Sequence, residues 1–268
     1  MCKVLGINRS SYYKRRSKGK STREEENEKI LKMINEIFTE SRESYGSPRI
    51  TEELRKRGLV CNKKRIAGIM RKNAIVAKIY RKHRSTTQSD HQREIAENIL
   101  GRGFLRKGPN EVWTSDITYI RTSEGWLYLV VIMDVYSRKI IGWELDKTLR
   151  SEMVERAMKK ALLERKVVQE GIIFHSDQGI QYTSESFREL LRENGFIQSM
   201  SRRGNCYDNA VTETFFHTLK TELVNRRRYK SREEARRSIF EYIEIFYNRK
   251  RIHSTINYLS PVEFEKLT

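Results

Sequence analysis

Between residues 112 and 145 the chain passes through three β-rich segments whose connections are too short for anything but hairpins. Residues 112–121 alternate, residues 126–136 form a long apolar run, and residues 140–145 a third strand. Glu124-Gly125 and Arg138-Lys139 mark the two turns. Residues 151–166 then change period: Val154, Ala157, Met158, Ala161 and Leu162 recur at helical spacing. A crossover helix of that length sets the next strand, 172–176, parallel to an earlier one. A helix capped by Thr183 or Ser184 runs to about Asn194, and a short strand follows at 197–201. The expected fold class is therefore α/β, with a mixed sheet.

Three acids sit at marked places in this pattern. Asp116 lies in the first strand, and Asp177 ends the fourth. Glu213 lies on a helix that begins after the turn-forming GNCYDN, with Asn209 or Asp208 as its cap. Val211, Phe215, Leu219 and Leu223 give that helix an apolar face, and Glu213, His217 and Lys220 share another. Sixty residues separate Asp116 from Asp177, and 35 separate Asp177 from Glu213. Any one of them could be a strand end or a solvated helix charge. Three converging carboxylates suit a different task. They offer the hard oxygen donors that magnesium takes while keeping several waters, and paired ions clamp the oxygens of a phosphoryl transfer.

The spacing Asp, Asp, 35 residues, Glu, with Lys220 seven beyond, resembles the DDE transposases and retroviral integrases. The wording is closer still: PNEVWTSDITYI, VVIMDVYSRKIIGW, HSDQGIQYTS, SMSRRGNCYDNAVTETFFHTLKTEL and YNRKRIHSTINYLSPVEF are similar to an OrfB-type insertion-sequence transposase. YGSPRITEELRKRG is similar to that family's N-terminal helix-turn-helix piece. The resemblance covers nearly the whole chain and implies a ribonuclease H-like catalytic core. It further implies two Mg²⁺ ions, or Mn²⁺ in their place, bridged by Asp116 and flanked by Asp177 and Glu213. The implied activity is cleavage at terminal inverted repeats of an element, followed by joining to target DNA. A nuclease or junction resolvase with the same metal chemistry is the first rival, and a repressor using only the first hundred residues the second.

Charge is unevenly spread. Residues 1–109 hold 28 basic and 12 acidic residues, net +16 of the chain's +19, so that part is an electrostatic footprint for a polyanion. A merely soluble basic region or an anionic membrane surface would also draw such charge. No amphipathic helix with a large apolar face accompanies it, which makes membrane the weaker reading. No run of 18 apolar residues and no apolar leader occur in the sequence, and three scattered cysteines make neither a zinc site nor a disulfide framework. The expected location is the bacterial cytoplasm, associated with the nucleoid.

Four regions are expected. Residues 1–21 read as a partial helix-turn-helix remnant and linker. Residues 22–75 read as a helix-turn-helix-like DNA-binding domain. There Thr22 and Glu25 form a capping-box pattern, Ile30, Leu31, Ile34 and Phe38 make a stripe, Ser47 caps ahead of Pro48, and Asn62 caps a last helix. That last helix buries Ile66, Ile69 and Met70 and shows Lys63, Lys64, Arg65, Arg71 and Lys72 outward, in the manner of a major-groove reader. Residues 76–109 read as a basic linker in which Arg81, Lys82 and Arg84 are phosphate contacts. Residues 110–268 read as the catalytic core with a long amphipathic helix, 229–251, capped by Ser231 with Glu234 and striped by Ile239, Phe240, Ile243, Phe246 and Tyr247.

Lys220 is read as a substrate-phosphate contact, and His175 and His217 as second-rank groups around the acids. Asp134 is read as structural. Core and DNA-contact roles stand level for the tail. The expected partners are double-stranded DNA, a second copy of this chain on the DNA, and an upstream OrfA-type product or frameshift fusion, which the short N-terminal remnant fits.

Overall fold

In the computed structural model, described for residues 2–17, 20–78, 95–100, 106–166, 170–202 and 209–267, the chain forms two compact units, Met1–Lys78 and Ile79–Thr268.

The first unit is helical. A turn leads into α1 (Arg9–Ser17), followed by α2 (Thr22–Glu40), α3 (Ser47–Lys56) and α4 (Lys63–Lys72). The helix starts differ from the expected ones by a residue. Ser21, not Thr22, caps α2: its side chain accepts from the Glu24 N–H, and Glu24 returns a bond to the Ser21 N–H, so the box is one step earlier. Gly46 takes the cap position of α3, with Ser47 as its first residue and Pro48 beside it. Asn62 does cap α4, accepting from the Lys64 N–H at 2.8 Å. The core joins Ile30, Ile34 and Ile37 to Ile50, Leu54, Ile66, Ile69 and Met70. Ile37 replaces the expected Phe38, which stays half-buried with Leu31.

The second unit is built on a five-stranded sheet in the order β3-β2-β1-β4-β5. β1 (Val112–Thr122) and β2 (Gly125–Asp134) form a hairpin in which Tyr119 faces Tyr128 and Arg121 faces Trp126. β3 (Ile140–Asp146) adds antiparallel to β2. After α5 (Ser151–Arg165), β4 (Ile173–Ser176) lies parallel to β1, and after α6 (Glu185–Glu193), β5 (Ile197–Met200) lies parallel to β4. α5 packs on β3 at Gly142, where even a Cβ would lie 2.4 Å from the Ala157 carbonyl oxygen. The turn after β2 is held by Asp134, whose buried carboxylate accepts from Asn110 N–H, Tyr136 N–H and Arg165.

Each sheet face has its own core. One joins Val130, Ile132 and Phe174 to α5 and α6; the other joins Ile120, Leu129 and Val131 to α7 (Ala210–Glu222), α8 (Arg232–Phe240) and the residues after it. The expected single helix at 229–251 is interrupted. Ser231 caps α8 through the Glu234 N–H, and the helix widens to a π-helical turn over Glu241–Tyr247. Tyr242 is buried and Phe240 half exposed, against the expected stripe. A last helix, α9 (Pro261–Glu265), starts at a Ser260–Glu263 capping box. No helix among the described residues is long and apolar enough to cross a membrane.

Candidate active site

The parallel ladder of β1 with β4 stops after Val112–Ile173, Trp113–Phe174 and Thr114–His175. Carrying that register two residues further sets Asp116 beside Asp177, where the strands part. Strand ends of this kind, at the carboxyl edge of parallel strands, are where α/β sheets place ligands. The Asp116 carboxylate accepts from the Ile117 N–H at 2.8 Å, and Asp177 accepts from the Gly179 N–H at 3.0 Å.

Glu213 arrives from the other direction, in the first turn of α7. Two bonds pin the start of that helix to β1, at Thr114 and Ser115. Thr212 Oγ1 donates to Thr114 Oγ1 at 2.7 Å, and Asn209 Nδ2 donates to the Ser115 carbonyl at 3.0 Å. Asn209 thus occupies the cap position but does not cap: its amide holds the helix to the strand. The sequence marked Asn209 only as a cap and did not mark Thr212, because an Asn before a helix reads as a cap and a Thr inside one reads as filler. Asp208 and Cys206 lie outside the described residues.

The three acids feel one another. Burial, then the Asp177 carboxylate, push the Asp116 pKa well above the usual carboxylate range; its own Ile117 bond opposes this and Glu213 adds to it. Partial burial, then Asp177, raise Glu213. Burial lowers Lys220, against the pull of Asp116. The carboxylates are nevertheless not closed into a cage: among the described residues no three His, Cys, Asp or Glu side chains are grouped tightly enough to hold a metal as they stand. The donor set itself, all carboxylate oxygen, fits a hard divalent cation.

Around the acids the sheet is braced by buried polar groups. Tyr182 meets the Ser115 hydroxyl at 2.8 Å, and burial followed by the fields of Asp177 and Asp116 raises its pKa strongly. His175 is fully buried, with Ser199 at 2.9 Å on Nδ1 and Ser201 at 3.0 Å on Nε2, so it ties β4 to β5 and its far end. His217 is half-buried on α7, with its pKa lowered by burial. Lys220 stands over the Tyr119 ring at 5.1 Å. The far end of α7 is fixed by a buried ion pair, Glu222 with Arg251, joined by the Tyr242 hydroxyl at 2.7 Å. The site is an open face. A shallow depression of about 300 Å³ near the end of β3 has none of the acids in its lining.

In the first unit, Lys63, Lys64, Arg71 and Lys72 are exposed on α4. Arg65 is not free: it donates to Asn27 at 2.9 Å and to Glu26 at 2.8 Å. Arg81, Lys82 and Arg84 lie outside the described residues.

A mixed sheet of this order, with carboxylates where its parallel strands part and a separate helical unit earlier in the chain, has the layout of an enzyme of the integrase class. Family models agree: an HTH-like domain matches residues 24–83, and integrase core domain models match residues 106–206 and 213–268. The InsF transposase of insertion sequence IS3A from Escherichia coli K12 is 40% identical over 99% of this chain and 92% of its own length. The 31 kDa protein of insertion element IS600 from Shigella sonnei is 39% identical over 99% and 97%. A chain of a simian T-cell lymphotropic virus intasome aligns over 82% of this chain and 70% of its own. It does so at 13% identity and a TM-score of 0.48, too low a likeness to build on. The chain belongs to the insertion-sequence transposases of the IS3 type, and it is a DNA transposase.

Proposed function

We propose that Asp116, Asp177 and Glu213 are the catalytic triad of this transposase, and that they act by holding two magnesium ions, for which manganese can substitute. The ions, when bound, supply a Lewis acid for the nucleophile and for the leaving 3′-oxygen of an in-line phosphoryl transfer. The observation that carries this reading is the placement of Asp116 and Asp177 at the parting of β1 and β4, with Glu213 in the first turn of a helix anchored to β1, an all-carboxylate set whose charge a bound cation would neutralise. Asp116 is fixed by its Ile117 bond and Asp177 by its Gly179 bond, so two of the three need little reorganisation. Asn209 and Thr212 hold Glu213 to the same strand. Lys220, partly desolvated and within the field of Asp116, holds a substrate phosphate as a point charge. No Ser or Tyr nucleophile is required.

The substrate is double-stranded DNA: terminal inverted repeats of an element first, then target DNA. Lys63, Lys64, Arg71 and Lys72 of α4, and Arg81, Lys82 and Arg84 beyond it, contact phosphates. Arg65 contributes mainly to the fold of its own unit. Pairing two ends calls for a dimer or larger assembly on DNA, with an upstream OrfA-type product or fusion supplying end recognition. The setting is the nucleoid in the bacterial cytoplasm.

The test is cleavage and joining of labelled element-end DNA in magnesium by the wild type and by Asp116→Asn, Asp177→Asn and Glu213→Gln. Nicked and joined products from the wild type, each reduced at least about a thousandfold in all three variants, are expected, the scale set by the several kcal/mol a metal-held charge contributes. Nicking without joining would make the chain a nuclease, and activity surviving in any variant would remove that residue from the triad.

A further inference from the structure

Two large aromatic side chains stand exposed on the hairpin whose first strand carries Asp116. Tyr119 is 57% and Trp126 47% exposed on the β1–β2 hairpin, where Arg121 pairs with Trp126. Their ring centroids lie 5.2 Å apart at an interplanar angle of 84°, so they make an open right-angled corner. Lys220 places its ammonium 5.1 Å from the Tyr119 ring centroid, and Arg121 stands cross-strand from Trp126. Tyr119 is three residues beyond Asp116, about 10 Å along the strand, which is the span of a few nucleotides. Lys220 joins the two places: it lies over Tyr119 while sensing the Asp116 charge.

We propose that this corner is a base-stacking subsite that receives an unpaired nucleotide at the DNA end. It rests on the reading of Asp116 as part of the catalytic site. A flat base offers a π-face to one ring and an edge to the other, while Lys220 and Arg121 neutralise the adjoining phosphates. Every base has a π-face, so the subsite tolerates sequence and acts as a clamp on a frayed end. A protein partner would need a larger apolar patch than two rings, and the flanking cations favour a polyanion. Melting the terminal pair and capturing one of its bases would hold the scissile phosphate near the acids after the duplex has opened.

The probe is a duplex with a short unpaired 3′ overhang carrying 2-aminopurine, compared with a blunt duplex of the same length, bound to the full chain at low salt without metal. The wild type is expected to quench the overhang fluorescence and to prefer the overhang to the blunt end by roughly tenfold, the scale of one base–aromatic stack. Tyr119→Leu with Trp126→Leu keeps apolar bulk but removes the rings, and should abolish both quenching and preference while leaving blunt-duplex affinity unchanged. Tyr119→Phe should retain both. Asp116→Asn should retain both as well and lose only cleavage, so failure of the catalytic reading and failure of the stacking subsite give different results. Quenching and overhang preference that persist in the double leucine variant, or are absent from the wild type, overturn the proposal.

Discussion

Asp116 shows how the proposed site would trade stability for chemistry. Its carboxyl pKa is raised in the folded protein by burial and by Asp177. A group with a raised folded pKa holds its proton longer in the native state than in the unfolded one, so native stability falls as pH climbs from the unfolded value through the folded one. Below that window the penalty is absent, and above it the penalty is complete. Asp116→Asn removes the charge, so the metal-free variant should melt a few degrees above the wild type at pH 7, with the gain fading as the pH is lowered through the window. Millimolar magnesium should raise the melting temperature of the wild type and barely move that of the variant. Calorimetry with and without chelator decides it; a variant that melts below the wild type at neutral pH contradicts the strain. The sequence announced Asp116 and Asp177, because a lone carboxylate in or at the end of a β-branched run is rare and visible. It did not announce Asn209 and Thr212 as anchors; their partners are Ser115 and Thr114, 94 and 98 residues away. Their meaning is created by the register between α7 and β1, which no local pattern encodes.

At the scale of elements, the hairpins and α5 could be read in advance because their periods, two and 3.6, are uniform. The helix after Ser231 could not. The expected stripe includes Phe240, whereas the spacing i, i+3, i+4, i+7 and i+8 counted from Ile239 takes Tyr242, Ile243, Phe246 and Tyr247, which are the residues buried; the π-helical turn at Glu241–Tyr247 left no mark in the sequence. The buried Tyr242 donates its hydroxyl to Glu222, and the chain then returns Arg251 to the same carboxylate with contacts at 2.8 and 3.1 Å. Burial alone would lower the Arg251 pKa, but Glu222 and Tyr242 more than offset it and the guanidinium stays charged. Arg251 therefore ties the tail to the end of α7, the helix that carries Glu213 and Lys220. The tail's core role has a definite partner, although the sequence left core and DNA contact level. Removing one member strands a buried charge, so Arg251→Ala should cost about 3–5 kcal/mol in urea denaturation, whereas Glu222→Leu with Arg251→Met should recover most of that loss. A single variant that unfolds at the wild-type midpoint would show the pair to be idle. Gly142 is a second such point: Gly142→Ala drives a methyl into the Ala157 carbonyl, and a loss of about 1–3 kcal/mol is expected by the same measurement.

At the scale of the whole molecule, charge and chemistry are divided between two stretches of chain. Residues 1–109 carry net +16 and residues 110–268 only +3, so the catalytic part is nearly neutral while the leading part holds the attraction for a polyanion. α4 sharpens the point. Lys63, Lys64 and Arg65 crowd its first turn with no acid among them, against the helix macrodipole, which disfavours each cation there by about 0.3–1 kcal/mol. Of these three, Arg65 alone has side-chain partners among the described residues, Glu26 and Asn27. The exposed Lys63 and Lys64 are uncompensated in that respect, and a phosphate at the helix start would offset both the dipole and the mutual repulsion. The log–log salt dependence of duplex binding measures this directly, since each phosphate contact contributes about 0.9 to the slope. Lys63→Ala with Lys64→Ala should lower the slope by roughly two contacts' worth and weaken all duplexes alike, because phosphate contacts carry no sequence information. Arg65→Ala should leave the slope nearly unchanged and instead loosen α2 from α4, seen as a small drop in the melting temperature of the first unit. A slope that is indifferent to Lys63 and Lys64 would move the DNA contact off α4, and a slope that falls with Arg65 would mean that its bonds to Glu26 and Asn27 open when DNA arrives.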